Sequence, residues 1–101
     1  MKILLCCGAG ASTSLVAEAM FNSLTPEEKE TFVIEAKSFD TFYEVYEKYD
    51  VILLGPQIRY KKPEAEKATK ELNIPVDSIN PMDYAMQNGA EIVQHAKNLL
   101  G

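Results

Sequence analysis

Two short, uninterrupted apolar runs constrain this chain more than any other feature: Ile3-Leu4-Leu5-Cys6-Cys7 and Val51-Ile52-Leu53-Leu54. Neither alternates with polar residues, so neither suits a strand with one face in water. Both fit strands covered on two faces, as in a parallel sheet lying between helices. The first run ends in Gly8 and leads to Leu15, Val16, Ala19, Met20 and Leu24, which recur at helical spacing; Ser12 and Ser14 are candidate N-caps. Thr25 to Glu30 reads as a charged turn or a frayed helix end. Thr31 to Lys37 alternates, with Phe32, Ile34 and Ala36 on one side, as an edge strand does. Ser38 is placed to cap a short helix whose stripe of Phe39, Phe42, Tyr43 and Tyr46 reads as core.

The second apolar run stops at Gly55-Pro56-Gln57. Pro63 then opens a helix with a narrow stripe of Ala65, Ala68 and Leu72. Ile74 to Ile79 reads as a short edge strand, where Pro75 is tolerated. Asn80 to Asn88 reads as a loop with at most a helical turn. Gly89 begins a last helix with Ile92, Val93, Ala96, Leu99 and Leu100 on one face. Strand and helix therefore alternate throughout. This predicts one α/β domain over residues 1–101: a four-stranded parallel sheet with helices on both faces and right-handed crossovers. With two buried and two edge strands, the simplest order is 2-1-3-4. The switch point then lies between strands 1 and 3, where ligands bind beyond the carboxyl ends. Cys7 and Gly55-Pro56-Gln57 meet there.

With 101 residues, 47% of them hydrophobic, the chain supports one core. Its formal charge of −5 makes it a poor partner for nucleic acid. Cys6 and Cys7 are adjacent, and a disulfide between neighbours would be strained, so a reducing compartment is expected. The first apolar run is too short for a secretory signal, and no run is long enough to span a bilayer. A soluble, cytoplasmic protein is expected, with no direct membrane insertion.

Chemistry concentrates in Cys7-Gly8-Ala9-Gly10-Ala11-Ser12-Thr13-Ser14. Gly8 and Gly10 allow backbone turns that aim several N–H groups at one point, and the following helix brings its positive end there. Ser12, Thr13 and Ser14 add hydroxyl donors. Such a loop suits an anion, and the start of a helix favours thiolate over thiol. A thiolate held there can attack a phosphoryl group, while the N–H groups stabilise the transferring oxygens. The loop by itself also fits an anion- or nucleotide-binding module whose cysteine is only a small buried hydrophobe. A dinucleotide fingerprint is a poor match, because Thr13 stands where its third glycine belongs, and no Walker loop is present.

The placement of the loop also suggests a low-molecular-weight tyrosine phosphatase or arsenate reductase, which would make the protein a hydrolase. Those enzymes use a Cys-x5-Arg loop, and here the arginine position holds Thr13. Without a bidentate guanidinium, hydrolysis is poorly supported. Asp77 and Asp83 are the candidates for the acid such an enzyme needs.

Leu4 to Ser14 resembles the active loop of the enzyme IIB subunits of the bacterial sugar phosphotransferase system, in the lactose/cellobiose/chitobiose branch. Leu53-Leu54-Gly55-Pro56-Gln57-Ile58-Arg59-Tyr60 resembles that branch's second motif, and Asp83 to Gly89 its third. The blocks follow in the expected order over nearly the whole chain. The resemblance implies a cytoplasmic phosphoprotein that accepts a phosphoryl group from a phosphohistidine of the IIA subunit. It implies storage on Cys7 as phosphocysteine, then delivery to a sugar held by the membrane IIC subunit. It implies that no cofactor is needed. Beyond adjacent Cys6 and Cys7, no pair of Cys or His residues has metal-ligand spacing, so no metal site is expected. Ala11 stands where the family often has methionine and Ala85 where glycine is frequent; neither removes a group the transfer needs.

Strand alternation points Cys6 away from Cys7, into the core. Gln57 is either a phosphoryl contact or a turn residue, and Tyr84 either lines the site or is a packed loop aromatic. Arg59, Lys61 and Lys62 form either a basic docking rim or a solvated face. His95, far along the last helix, reads as a surface histidine.

Overall fold

The computed structural model describes residues 1–8 and 12–101, with the side chains of all of these except Ser12. Expectations resting on Ala9, Gly10, Ala11 and the Ser12 hydroxyl lie outside the described residues. Strands β1 (Lys2–Cys7), β2 (Val33–Ser38), β3 (Val51–Leu54) and β4 (Val76–Ser78) form one parallel sheet in the order β2-β1-β3-β4. The expected order and direction are therefore correct. β1 lies between β2 and β3, with Leu5 opposite Ala36 on one side and Leu53 on the other.

Helices α1 (Ser12–Asn22) and α6 (Gly89–Leu100) cover one face of the sheet. Beneath them Ile3, Leu5, Val51 and Leu53 pack with Val16, Met20, Ile92, Val93 and Ala96. The other face is covered by the aromatic segment around α3 (Phe42–Val45) and by α4 (Lys62–Thr69). There Leu4, Cys6, Ile52 and Leu54 meet Phe39, Phe42, Ile58 and Ala65. Each face of the two apolar runs thus enters its own core, which is why neither run alternates. Burying each large aliphatic side chain contributes about 2 kcal/mol, so these two strands anchor both layers.

Several boundaries differ from the expectation. Thr31 ends a separate helix, α2 (Pro26–Thr31), so the second strand starts at Val33 and not at Thr31. Its signal was present: the Thr25 side chain accepts from the Glu28 N–H while the Glu28 carboxylate accepts from the Thr25 N–H. This capping box satisfies two otherwise orphaned amides. α2 buries no side chain. Instead the Lys97 ammonium of α6 reaches Glu28 at 2.6 Å.

Ser14 lies inside the first turn of α1 and is not its cap. Ser38 does cap the aromatic segment, accepting from the Asp40 N–H. Tyr43 of the aromatic stripe is exposed and donates to Glu64, whereas Phe39 and Phe42 stack in the core. Leu72 is also exposed, because the helix tightens into a 3-10 turn over Lys70–Leu72 and Thr69 takes the buried place. β4 spans only Val76–Ser78 of the expected strand. The third segment holds a short helix, α5 (Pro81–Ala85), capped by Asn80 Oδ1, which accepts from the N–H groups of Met82 and Asp83.

Candidate functional site

Cys7 is the last residue of β1 and sits opposite Ser38 of β2. It is 7% exposed, with its Sγ 3.9 Å from the Lys37 carbonyl. Cys6 is wholly buried among Leu4, Phe39, Phe42 and Ile58 on the α3 and α4 face. Alternation turns Cys7 to the opposite face, toward α1. Burial, with a smaller contribution from the neighbouring Cys7, pushes the Cys6 thiol up to about 12. Neither cysteine is in a disulfide. Iodoacetamide at neutral pH is therefore expected to label Cys7 at least about 100-fold faster than Cys6, because only a thiolate that reagent can reach reacts. Peptide mapping after limited alkylation reads this directly; equal labelling of the two would contradict the geometry.

The exits of β1 and β3 touch. The Gly55 N–H donates to the Cys6 carbonyl at 2.9 Å, extending the ladder past the end of β3. A methyl group on Gly8 would lie 3.1 Å from Ile58 Cγ2, so the turn leaving β1 rests against the segment leaving β3. Gln57 is exposed and its side chain folds back: a methyl on Gly55 would sit 2.9 Å from its Oε1. The third segment arrives through Tyr84 of α5, which is 8% exposed. Its hydroxyl lies 3.0 Å from the hydroxyl of Thr13, which is wholly buried in the first turn of α1.

At the switch point between β1 and β3 the structure thus brings Gly8 against Ile58, Gln57 and Tyr84 against Gly55, and Thr13 against Tyr84, while no contact ties Ser14 to the other segments among the described residues. The first turn of α1 carries no acidic side chain. Its positive end is left unneutralised by its own residues, an arrangement that favours a bound anion.

The two aspartates considered as proton donors are occupied elsewhere. Asp83 Oδ1 accepts from the Asn88 side-chain amide and closes the end of α5. Asp77 lies on edge strand β4, with Lys62 Nζ at 3.2 Å from one oxygen and His95 Nε2 at 2.9 Å from the other. Burial raises the Asp77 carboxyl, but hydrogen bonds from His95, the Ser78 N–H and Lys62 outweigh it and hold it below its ordinary range. A carboxyl kept ionised in this way is a poor general acid.

His95 is therefore half-buried and engaged with Asp77, not simply a surface histidine. Lys62 ties the start of α4 to the sheet edge. Lys61 pairs with Glu64 and lies 5.5 Å from the centre of the Phe39 ring. These two lysines are held by their own domain.

A pH experiment checks the Asp77 cluster. Asp77→Asn is expected to lower stability at neutral pH by about 1 kcal/mol, since the groups are partly in water. The folded carboxyl is the more acidic, so its contribution is complete above the unfolded value of about 4. It disappears as pH falls through the folded value, because protonation then discharges Asp77 in both states. Urea midpoints of the two proteins should converge on acidification; a gap that widens there would contradict the linkage.

An open cleft of about 830 Å³ lies elsewhere, lined by Lys67, Lys70, Ile74, Pro75, Leu99 and Leu100 among others. It flanks the start of β4, at the opposite end of the sheet from Cys7. No helix among the described residues is long and apolar enough to cross a membrane.

The chain is similar to known proteins over most of its length. The family profile "PTS system, Lactose/Cellobiose specific IIB subunit" matches residues 2–95. The chain is 35% identical to the oligo-beta-mannoside-specific EIIB component of Bacillus subtilis (strain 168), over 98% of this chain and 95% of that protein. It is also 35% identical to the galactose-specific EIIB component of Lactococcus lactis subsp. cremoris, over 97% and 94%. A cellobiose-specific IIB component from Borrelia burgdorferi, solved in solution, superposes with a TM-score of 0.75 at 38% identity, covering 99% of this chain and 91% of that one. The lactose-specific IIB domain of Streptococcus pneumoniae shares the fold, with a TM-score of 0.79 at 19% identity over 95% and 96%.

Spacing along the chain does not reveal the Thr13–Tyr84 contact or the Lys62–Asp77–His95 cluster. Their partners lie far apart in sequence, and only the sheet order brings them together.

Proposed function

Because this chain belongs to the lactose/cellobiose-specific IIB subunits of the phosphotransferase system, we propose that Cys7 is the residue that carries the phosphoryl group. In this reading the cytoplasmic IIA subunit presents a phosphohistidine at the β1 exit. The Cys7 thiolate attacks phosphorus, the S–P bond forms as the P–N bond breaks, and the departing imidazole takes up a proton. The loop from Gly8 to Ser14 holds the phosphoryl oxygens, with Gln57 and Tyr84 closing the site from the other two segments. The group then passes to a sugar bound by the membrane IIC subunit, which makes the chain a phosphocysteine–sugar phosphotransferase.

One observation carries this reading most strongly. A cysteine stands at the carboxyl end of a central strand beside the unneutralised start of α1, while the position six residues on holds a threonine bonded to Tyr84. A hydrolase of this architecture would place an arginine there to hold the phosphoryl group for attack by water. With threonine, and with both nearby aspartates engaged, the site is suited to holding the group and handing it on. Transfer of this kind relies on positioning and charge stabilisation more than on covalent machinery.

The test is to mix the protein with phosphorylated IIA and weigh it. One added phosphoryl group, with little phosphate released from an aryl phosphate, is the expected result. No added mass, or brisk hydrolysis, would overturn the reading. The sugar is not decided by similarity: relatives named for oligo-beta-mannosides, galactose and cellobiose are all 35% identical to this chain.

A further inference from the structure

We infer that Tyr84 is a positioning residue for transfer at Cys7, acting through Thr13; this rests on the carrier reading above. The Thr13 hydroxyl is wholly buried, and the partner it meets is the Tyr84 hydroxyl, 71 residues away in the chain. Tyr84 sits on a short helix whose two ends are both hydrogen-bonded. Asn80 caps the start of α5, and Asn88 closes its end by bonding Asp83 through both its side-chain amide and its backbone N–H. Gln87 turns the chain there in the left-handed conformation at φ +53°. The Tyr84 ring also lies against Gly55, since a methyl on that glycine would be 3.7 Å from its Cε2. Gly55 in turn bonds the carbonyl of Cys6, the residue before the nucleophile.

One aromatic side chain therefore spans both sides of the site. It ties the first turn of α1 to the third segment through its hydroxyl and braces the β3 exit through its ring. The positive end of α1 is useful at phosphorus only if its direction relative to Cys7 is set beforehand, because preorganised dipoles stabilise transferring charge without reorganising. The Thr13–Tyr84 bond sets it.

The test compares Tyr84→Phe, Thr13→Val, the double variant and Thr13→Ser. Each single loss of a hydroxyl is expected to lower the saturated rate of phosphoryl uptake from phosphorylated IIA by about 10-fold or more, roughly what one buried hydrogen bond is worth. The KM for the donor should stay within about 3-fold, since docking is untouched. The double variant should be no slower than the slower single variant, because the two residues act as one unit. Thr13→Ser should restore the rate. An effect confined to KM, multiplicative losses or no rescue by serine would overturn the assignment.

A second arm does not depend on the carrier reading. Amide hydrogen exchange should rise in Tyr84→Phe at Val16 and Ala17, whose N–H groups reach back to the first turn of α1, and remain unchanged in β1. Unchanged exchange at those amides would overturn the assignment. Failure of the wild type to accept phosphate would instead overturn the carrier reading.

Discussion

Cys7→Ala is expected to take up no phosphoryl group from phosphorylated IIA, a loss of the order of 10⁴-fold or more, as for removal of a covalent nucleophile. The fold should survive. Cys7 ends its strand, and although it is only 7% exposed, truncating its CH2–SH to CH3 removes a single sulfur atom, so the cost is about 1 kcal/mol. Circular dichroism and a urea melt should therefore resemble those of the wild type while labelling disappears. Cys7→Ser keeps an oxygen nucleophile but one that is hardly ionised near neutral pH, so it should be labelled far more slowly.

Cys6→Ala supplies the contrast. Cys6 points into the opposite core, where its thiol is pushed up to about 12. Removing it leaves a small cavity costing about 1–2 kcal/mol and should leave phosphoryl transfer intact. Intact mass measured after mixing with the phosphorylated donor separates the two cysteines. Undiminished labelling of Cys7→Ala would place the chemistry on another residue.

Gly89→Ala is expected to be the most destabilising glycine-to-alanine change among the described residues, by about 3 kcal/mol or more. At the start of a helix, alanine would normally stabilise by about 0.4–1 kcal/mol through the unfolded state. Here geometry overrides that gain. The added carbon would lie 2.2 Å from the Ala19 carbonyl oxygen, 2.3 Å from its carbonyl carbon and 2.6 Å from the Met20 nitrogen. All three are backbone atoms of α1, so no rotamer change relieves the clash and α1 must move away from α6.

Gly89 has no positive φ, so the penalty comes from lack of space rather than from backbone conformation. A thermal melt should show Tm falling by more than about 10 °C, given the size of the domain. An unchanged or raised Tm would mean that the two helices do not approach so closely. Because α1 also carries Thr13, phosphoryl transfer should suffer along with stability. Gly55→Ala is a useful control. There the tightest contact, at 2.9 Å, is the far end of the Gln57 side chain, which can swing away.

The sheet was legible in the chain because its signal is local and strong. Two runs without alternation demand two covered faces, and two weaker strands lie at the edges, so burial puts strands 1 and 3 at the centre and 2-1-3-4 is the simplest order that follows. The nucleophile was legible for a similar reason: a cysteine at a strand end, followed by glycines, hydroxyl residues and a helix, announces its chemistry over a few consecutive residues. The helix from Pro26 to Thr31 was also written in the sequence, through Thr25 and Glu28, though it reads there as a turn because it has no apolar face to bury.

Tertiary structure alone decided the rest. Thr13 meets Tyr84, Lys62 and His95 converge on Asp77, and Gly89 touches Ala19 only because the strand order and the α1–α6 crossing bring distant residues to one place. Hydrogen bonds and steric contacts act over a few ångströms, and spacing along the chain carries no trace of them. Hydrophobic periodicity is repeated along every element, so the chain states the layers by itself. Single contacts across those layers exist only once they have packed.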